Sequence, residues 1–145
     1  VVEKPVCNRW LLAWHANRAA RFLNRHCPDI RLNETHPRDI LFMSDFAGER
    51  YAKFTAEGME AVRKLSHLDG IKLEGTYTGK TMAGAISFIH RHHLENRPML
   101  FWNTFSSADL YHQTKDIHYR ELPARLHRYF EEPLQEEQMG FEVVY

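Results

Sequence analysis

Between Leu73 and Thr104 a short apolar run, a glycine-bearing loop, a helical pattern and a second apolar run follow one another, and this order restricts the fold more than any other feature. Ile71-Lys72-Leu73 leads into Glu74-Gly75-Thr76-Tyr77-Thr78-Gly79-Lys80. Met82, Ala83, Ala85, Ile86, Phe88 and Ile89 then recur at helical spacing. After His92-His93 and Asn96-Arg97-Pro98 comes Met99-Leu100-Phe101-Trp102, with the length and apolarity of a buried strand. The order reads as a β-α-β unit, a parallel pair of strands joined by a crossover helix. The expected fold class is therefore α/β, in a single domain over residues 1–145.

Around that unit the pattern is mainly helical. From Trp10 to His26 the apolar residues recur at three and four without Pro or Gly, which predicts a helix ended by Cys27-Pro28. Pro28 to Arg38 reads as a surface connection, Ile40 to Met43 as a short strand or a turn of helix, and Asp45 to Lys53 as irregular. Thr55 is placed to cap a helix with Glu57 in its first turn, with Met59, Val62 and Leu65 on one face and Asp69-Gly70 at its end. Ser106 and Ser107 are expected to cap a short helix through Ala108, Leu110 and Tyr111. Leu122 to Phe130 predicts another helix ending near Pro133, and Phe141 to Tyr145 an edge strand behind a linker. No internal repeat or low-complexity segment occurs.

Composition narrows the class of partner. With 43% hydrophobic and 26% charged residues the chain is neither disordered nor collagen-like. Nineteen Lys and Arg balance nineteen Asp and Glu, which removes the simplest support for a nucleic-acid or anionic-membrane partner. Apolar runs such as Met99 to Trp102 fall far short of the roughly 20 residues that cross a bilayer, and no signal segment opens the sequence, so a cytoplasmic location is expected. Cys7 and Cys27 fit reduced thiols. The first residue is Val1, as expected of a chain trimmed, processed or cut from something longer.

Several motifs carry less than they suggest. Gly75 and Gly79-Lys80-Thr81 invite a phosphate-loop reading, but Thr76, Tyr77 and Thr78 leave the glycines one residue too close. Glu74 stands where the first glycine should be, and a carboxylate there would oppose an anion. His90 and His93 lie on one helical face with Glu95 nearby, yet no further ligand follows at local spacing, so a solvated helix end is favoured over a metal site. His112 and His118 read as surface or packing residues. Arg18, Arg21 and Arg25 share a helix face near Trp10 and Trp14, where a solvated face is favoured over a phosphate grip. Neither cysteine has an assignable basic partner, which argues against a catalytic thiol.

Three segments taken together are more specific: Phe54-Thr55-Ala56-Glu57-Gly58-Met59-Glu60-Ala61, then Asp69-Gly70-Ile71-Lys72-Leu73, then Thr76-Tyr77-Thr78-Gly79-Lys80-Thr81-Met82-Ala83-Gly84. In order and spacing, residues Asp45 to Trp102 resemble the C-terminal part of pyridoxal-phosphate enzymes of the tryptophan-synthase β-chain fold. The likeness is strongest to the D-cysteine desulfhydrase and 1-aminocyclopropane-1-carboxylate deaminase branch. The resemblance implies a three-layer α/β/α parallel-sheet domain, pyridoxal 5'-phosphate as cofactor, a small amino acid as substrate and a homo-oligomer.

The resemblance also implies roles for particular residues. Tyr77 would be the catalytic residue at the substrate end, Thr78 would lie near the pyridine ring, and Gly79 would permit close approach. Lys80 would be a helix-start charge and not the Schiff-base lysine, which the family carries far upstream with its phosphate-cradling loops. A strand followed by Thr-Gly-Gly is expected to place a threonine by the ring. Here Thr104 matches, while Phe105 and Ser106 replace the two glycines. A neutral hydroxyl at Thr78, where the deaminases carry Glu, favours β-elimination over ring-opening deamination. The chain alone is then expected to be inactive, because covalent catalysis needs the absent lysine. The competing expectation is a non-catalytic α/β remnant or binding module that has lost the cofactor site.

Overall fold

Asn8 starts the first helix, its side-chain carbonyl accepting from the Leu11 N–H at 3.0 Å. The structure, a computed structural model, describes residues 8–106, 108–133 and 135. The chain divides into two compact units, one up to Tyr51 and one from Ala52 onward.

In the first unit α1 spans Arg9–His26 and ends at Cys27, whose N–H donates to the Leu23 carbonyl at 2.7 Å. Its inner face is lined by Ala13 and Ala20, small enough for the returning chain to lie close. Two asparagines one heptad apart hold that returning chain. Asn17 donates to the Thr35 carbonyl at 3.0 Å and accepts from the Thr35 N–H at 2.7 Å. Asn24 makes the same pair of bonds with Leu32, both at 2.8 Å. A 3-10 turn over Pro37–Asp39 follows, with His36 Nδ1 accepting from the Arg38 N–H and Asp39 accepting from the His36 N–H. Residues 40–43 are neither strand nor helix. Cys27 is a free thiol, and Cys7 lies outside the described residues.

The second unit is built on α2, Ala56–Asp69, and α3, Thr78–Arg91. Thr55 caps α2 by accepting from the Gly58 N–H at 3.1 Å. Gly70 ends it in the left-handed region at φ 65°, donating to Ser66 while Ile71 donates to Leu65, the paired closure that a glycine in this conformation allows. Met59, Val62 and Leu73 form the buried centre, with Phe54, Leu65, Met82 and Phe101 packed on it. Beyond α3 lie two short helices, α4 at Tyr111–Thr114 and α5 at Arg128–Glu131, with 3-10 turns at Tyr119–Glu121 and Ala124–Leu126.

The α/β expectation is overturned. Among the described residues there is no strand and no sheet, so neither the β-α-β unit nor a three-layer α/β/α, tryptophan-synthase β-like domain is formed. Residues 71–73 and 99–102 form no ladder with each other. The Lys72 carbonyl instead accepts from the Asn103 side-chain amide at 3.1 Å, and Phe101 alone of its run packs against the core. The reason is physical: an apolar run reports that burial is favourable, whereas a strand also needs partners for its backbone. Two short segments form at best an isolated two-stranded ladder, which is marginal in water. The helix expected over Leu122 to Phe130 is not continuous: a 3-10 turn over Ala124–Leu126 follows Pro123, and only Arg128–Glu131 is α-helical. The short helix expected from Ser106 begins at Tyr111. Ser107 and the expected edge strand at Phe141 to Tyr145 lie outside the described residues.

Candidate functional site

The turn that enters α3 is organised by Glu74. Its carboxylate accepts from the backbone N–H of Thr76 at 2.6 Å, of Tyr77 at 2.8 Å and of Thr78 at 2.7 Å. The Thr78 hydroxyl accepts from the Glu74 N–H at 2.8 Å and shares its proton between the Glu74 carbonyl at 3.3 Å and carboxylate at 3.2 Å. The Gly79 N–H closes the turn on the Glu74 carbonyl at 2.8 Å. The first N–H groups of a helix lack intrahelical acceptors and carry partial positive charge, so they favour an anion. Here that anion is the chain's own carboxylate. Burial alone would push the Glu74 carboxyl up, but the hydrogen bonds from Thr78, Tyr77 and Thr76 outweigh it and hold the group below its ordinary value.

Within the Tyr-Thr-Gly-Lys run the side chains part company. Tyr77 is 40% exposed, whereas Thr78 is 4% and Lys80 1% exposed, the latter the largest fully buried side chain described. Burial pushes the Lys80 ammonium down from its ordinary value, and the Glu74 charge opposes that shift. Gly79 is the point at which α3 meets α2, since a Cβ there would lie 2.8 Å from the Gly58 carbonyl. Its missing side chain makes room for a helix.

Tyr77, Thr78 and Gly79 are therefore contiguous at the start of α3. Thr104 is exposed and belongs to the segment tied back by Asn103 to Lys72. Two residues that the sequence reading left without a role in the site become central, Glu74 as the anion of the turn and Lys80 as a buried cation. An acid directly ahead of a helix start was the available signal for the first. No pattern in the local sequence distinguishes a buried lysine in a first turn from an exposed one.

The other candidates stay local. His90 Nδ1 and Glu95 Oε1 lie 3.2 Å apart, both partly exposed, and among the described residues no group of three or more His, Cys, Asp or Glu side chains comes together. On α1 the Arg18 guanidinium lies 5.6 Å over the Trp14 ring, and Arg21 pairs with Glu34 at 3.2 Å. Among the described residues no helix is long and apolar enough to cross a membrane.

Set against pyridoxal phosphate, these residues do not form a cradle. Thr78 is buried with its hydroxyl committed to Glu74, the open side of Gly79 is filled by α2, and the amides at the start of α3 already hold a carboxylate. No family model and no solved structure matches the chain.

Proposed function

We propose that this chain is the C-terminal portion of a pyridoxal-phosphate-dependent lyase or deaminase acting on a small amino acid in the cytoplasm, with D-cysteine-type β-elimination the favoured reaction. On its own it neither holds the cofactor nor turns over substrate. The observation that carries the reading is the partition of the Tyr-Thr-Gly-Lys run: its one outward-facing side chain is Tyr77, the residue that the resemblance places at the substrate end. The order and spacing of the segments from Phe54 to Gly84 support it as well. In this reading Thr78, Gly79 and Lys80 build the turn, and the cofactor's lysine and phosphate loops belong to another part of the enzyme. Exposed apolar side chains such as Leu100 and Trp102 support an assembly with further chain or with other copies.

The second reading, a non-catalytic remnant, is favoured by the commitment of Thr78 and Gly79 to internal packing and by Phe105 and Ser106 after Thr104. Titrating the purified chain with pyridoxal phosphate, followed by borohydride reduction and peptide mapping, tests the first claim. No specifically labelled lysine is expected. Adding a separately produced N-terminal portion that carries the cofactor lysine should then give sulfide release from D-cysteine. Absence of turnover in that mixture favours the remnant, and saturable labelling of one lysine in the chain alone overturns the proposal.

A further inference from the structure

The hydrogen bonds around Glu74 assign a role to a residue that the sequence marks only as a carboxylate opposing an anion at the glycine loop. We propose that Glu74 is the positioning residue of the candidate site, its carboxylate setting the backbone of Thr76, Tyr77 and Thr78 so that Tyr77 faces outward and no substrate anion occupies the start of α3. This rests on the reading in which Tyr77 faces the substrate.

Tyr77 needs such a support. At φ −123° and ψ −63° it lies outside the regular helical and extended regions, so the helical repeat of α3 does not set its φ and ψ. Its N–H is held by Glu74, and its carbonyl accepts from the Thr81 N–H at 2.9 Å and the Thr81 hydroxyl at 2.8 Å. Glu74 therefore fixes one side of the Tyr77 backbone and Thr81 the other. The support depends on charge as well as shape. Three donors converge on two oxygens, an arrangement that an ionised carboxylate satisfies and that an amide of the same size cannot, since one of its atoms would bring N–H against N–H. Among the described residues, the ionised group that feels the Glu74 charge is Lys80, from α3. Where α2 meets this turn it brings Gly58, Met59 and Val62, none of them ionisable.

A consequence for specificity follows. A helix start with free amides would be a ready receptor for the carboxylate of an amino-acid substrate. Here those amides are filled from within, so that carboxylate has to be recognised by other groups, and the substrate meets α3 through the Tyr77 side chain.

The test is made on the full chain, 15N-labelled, by following the backbone amide signals of Thr76, Tyr77 and Thr78 with pH and added formate, and using the Gly58 amide of α2 as a reporter of folding. In the wild type the three amides are expected to titrate together on the acid side, in the range where Glu74 takes up its proton, and to ignore formate. Glu74→Gln should abolish that common titration. Glu74→Ala should shift all three signals, and formate, but not chloride at equal ionic strength, should return them towards their original positions. Wild-type amides that titrate separately or not at all, or a Glu74→Gln chain with its titration intact, would overturn the inference. So would a folded Glu74→Ala chain indifferent to formate. The reading of Tyr77 is checked separately by Tyr77→Phe in the mixture with the N-terminal portion: unchanged sulfide release removes Tyr77 from the chemistry and leaves the amide result as it was.

Discussion

Gly79 on α3 packs directly against the Gly58 backbone of α2. A Cβ built on Gly79 would lie 2.6 Å from a Val62 methyl, 2.8 Å from the Gly58 carbonyl oxygen and 3.0 Å from the Glu74 carbonyl oxygen. Two of these neighbours are backbone and cannot swing aside, so Gly79→Ala must push the helices apart. The expected loss is about 1–3 kcal/mol, the range of an overpacked core. Gly70→Ala has nothing within 4 Å of its new Cβ and meets only the left-handed strain at φ 65°, about 1 kcal/mol. Urea unfolding of both variants measures the order, and a Gly70→Ala loss equal to or larger than that of Gly79→Ala would show that the helices tolerate the extra methyl.

Stability should rise with pH at both ends of the accessible range. Glu74 is held below its ordinary value in the folded chain, so its contribution is complete above the ordinary carboxylate range and is lost as the pH falls through its lower native value. Lys80 is also held below its ordinary value. The unfolded chain therefore binds the lysine proton more tightly, and stability climbs as the pH rises from the native value towards that of a free lysine. Urea midpoints should accordingly differ between wild type and Glu74→Gln by an amount that shrinks on acidification. The difference between wild type and Lys80→Met should change only on the alkaline side. Differences that stay constant with pH would remove the corresponding group from the linkage.

Helices α1 and α2 were legible in the sequence because they carry local start or stop signals, whereas the short helices after Thr104 were misplaced. Thr55, Glu57 and Asp69-Gly70 bracket α2 within a residue, and the unbroken periodicity up to Cys27-Pro28 fixes the end of α1. The sheet was misread because its signal is not local. Leu73 and Phe101 do enter the core, as apolar residues of a strand would, but whether their neighbours find a ladder depends on chain that the run itself does not specify. The site was half legible: Tyr77, Thr78 and Gly79 were read as a loop ahead of a helix, whereas α3 already begins at Thr78, and the reach of Glu74 to three successive amides depends on the turn's conformation, which a residue pattern does not encode.

In the first unit the two asparagines of α1 act as clamps of unequal value. The Asn17 bonds to Thr35 are part-buried, while those of Asn24 to Leu32 are exposed and compete with water. Asn17→Ala leaves a shielded N–H and C=O without partners and should cost about 1–3 kcal/mol, whereas Asn24→Ala should cost about 1 kcal/mol or less. Amide hydrogen exchange reads this directly, with Thr35 losing more protection in the first variant than Leu32 does in the second. Equal losses would mean that water reaches both clamps alike.

The run Met99 to Trp102 contains one residue that serves the core and three that do not. Phe101 packs against Met59, Val62 and Leu73, while Leu100 is 88% and Trp102 78% exposed. Phe101→Ala should therefore cost about 2 kcal/mol, less than a fully buried phenylalanine because the ring is only partly covered. Leu100→Glu and Trp102→Glu should stay within about 0.5 kcal/mol, as surface substitutions do. If these apolar side chains join copies of the chain, the same two variants should weaken concentration-dependent association in sedimentation equilibrium while leaving the unfolding of the dilute chain unchanged. A Leu100→Glu loss as large as that of Phe101→Ala in dilute solution would place Leu100 against the chain's own core and contradict its exposure.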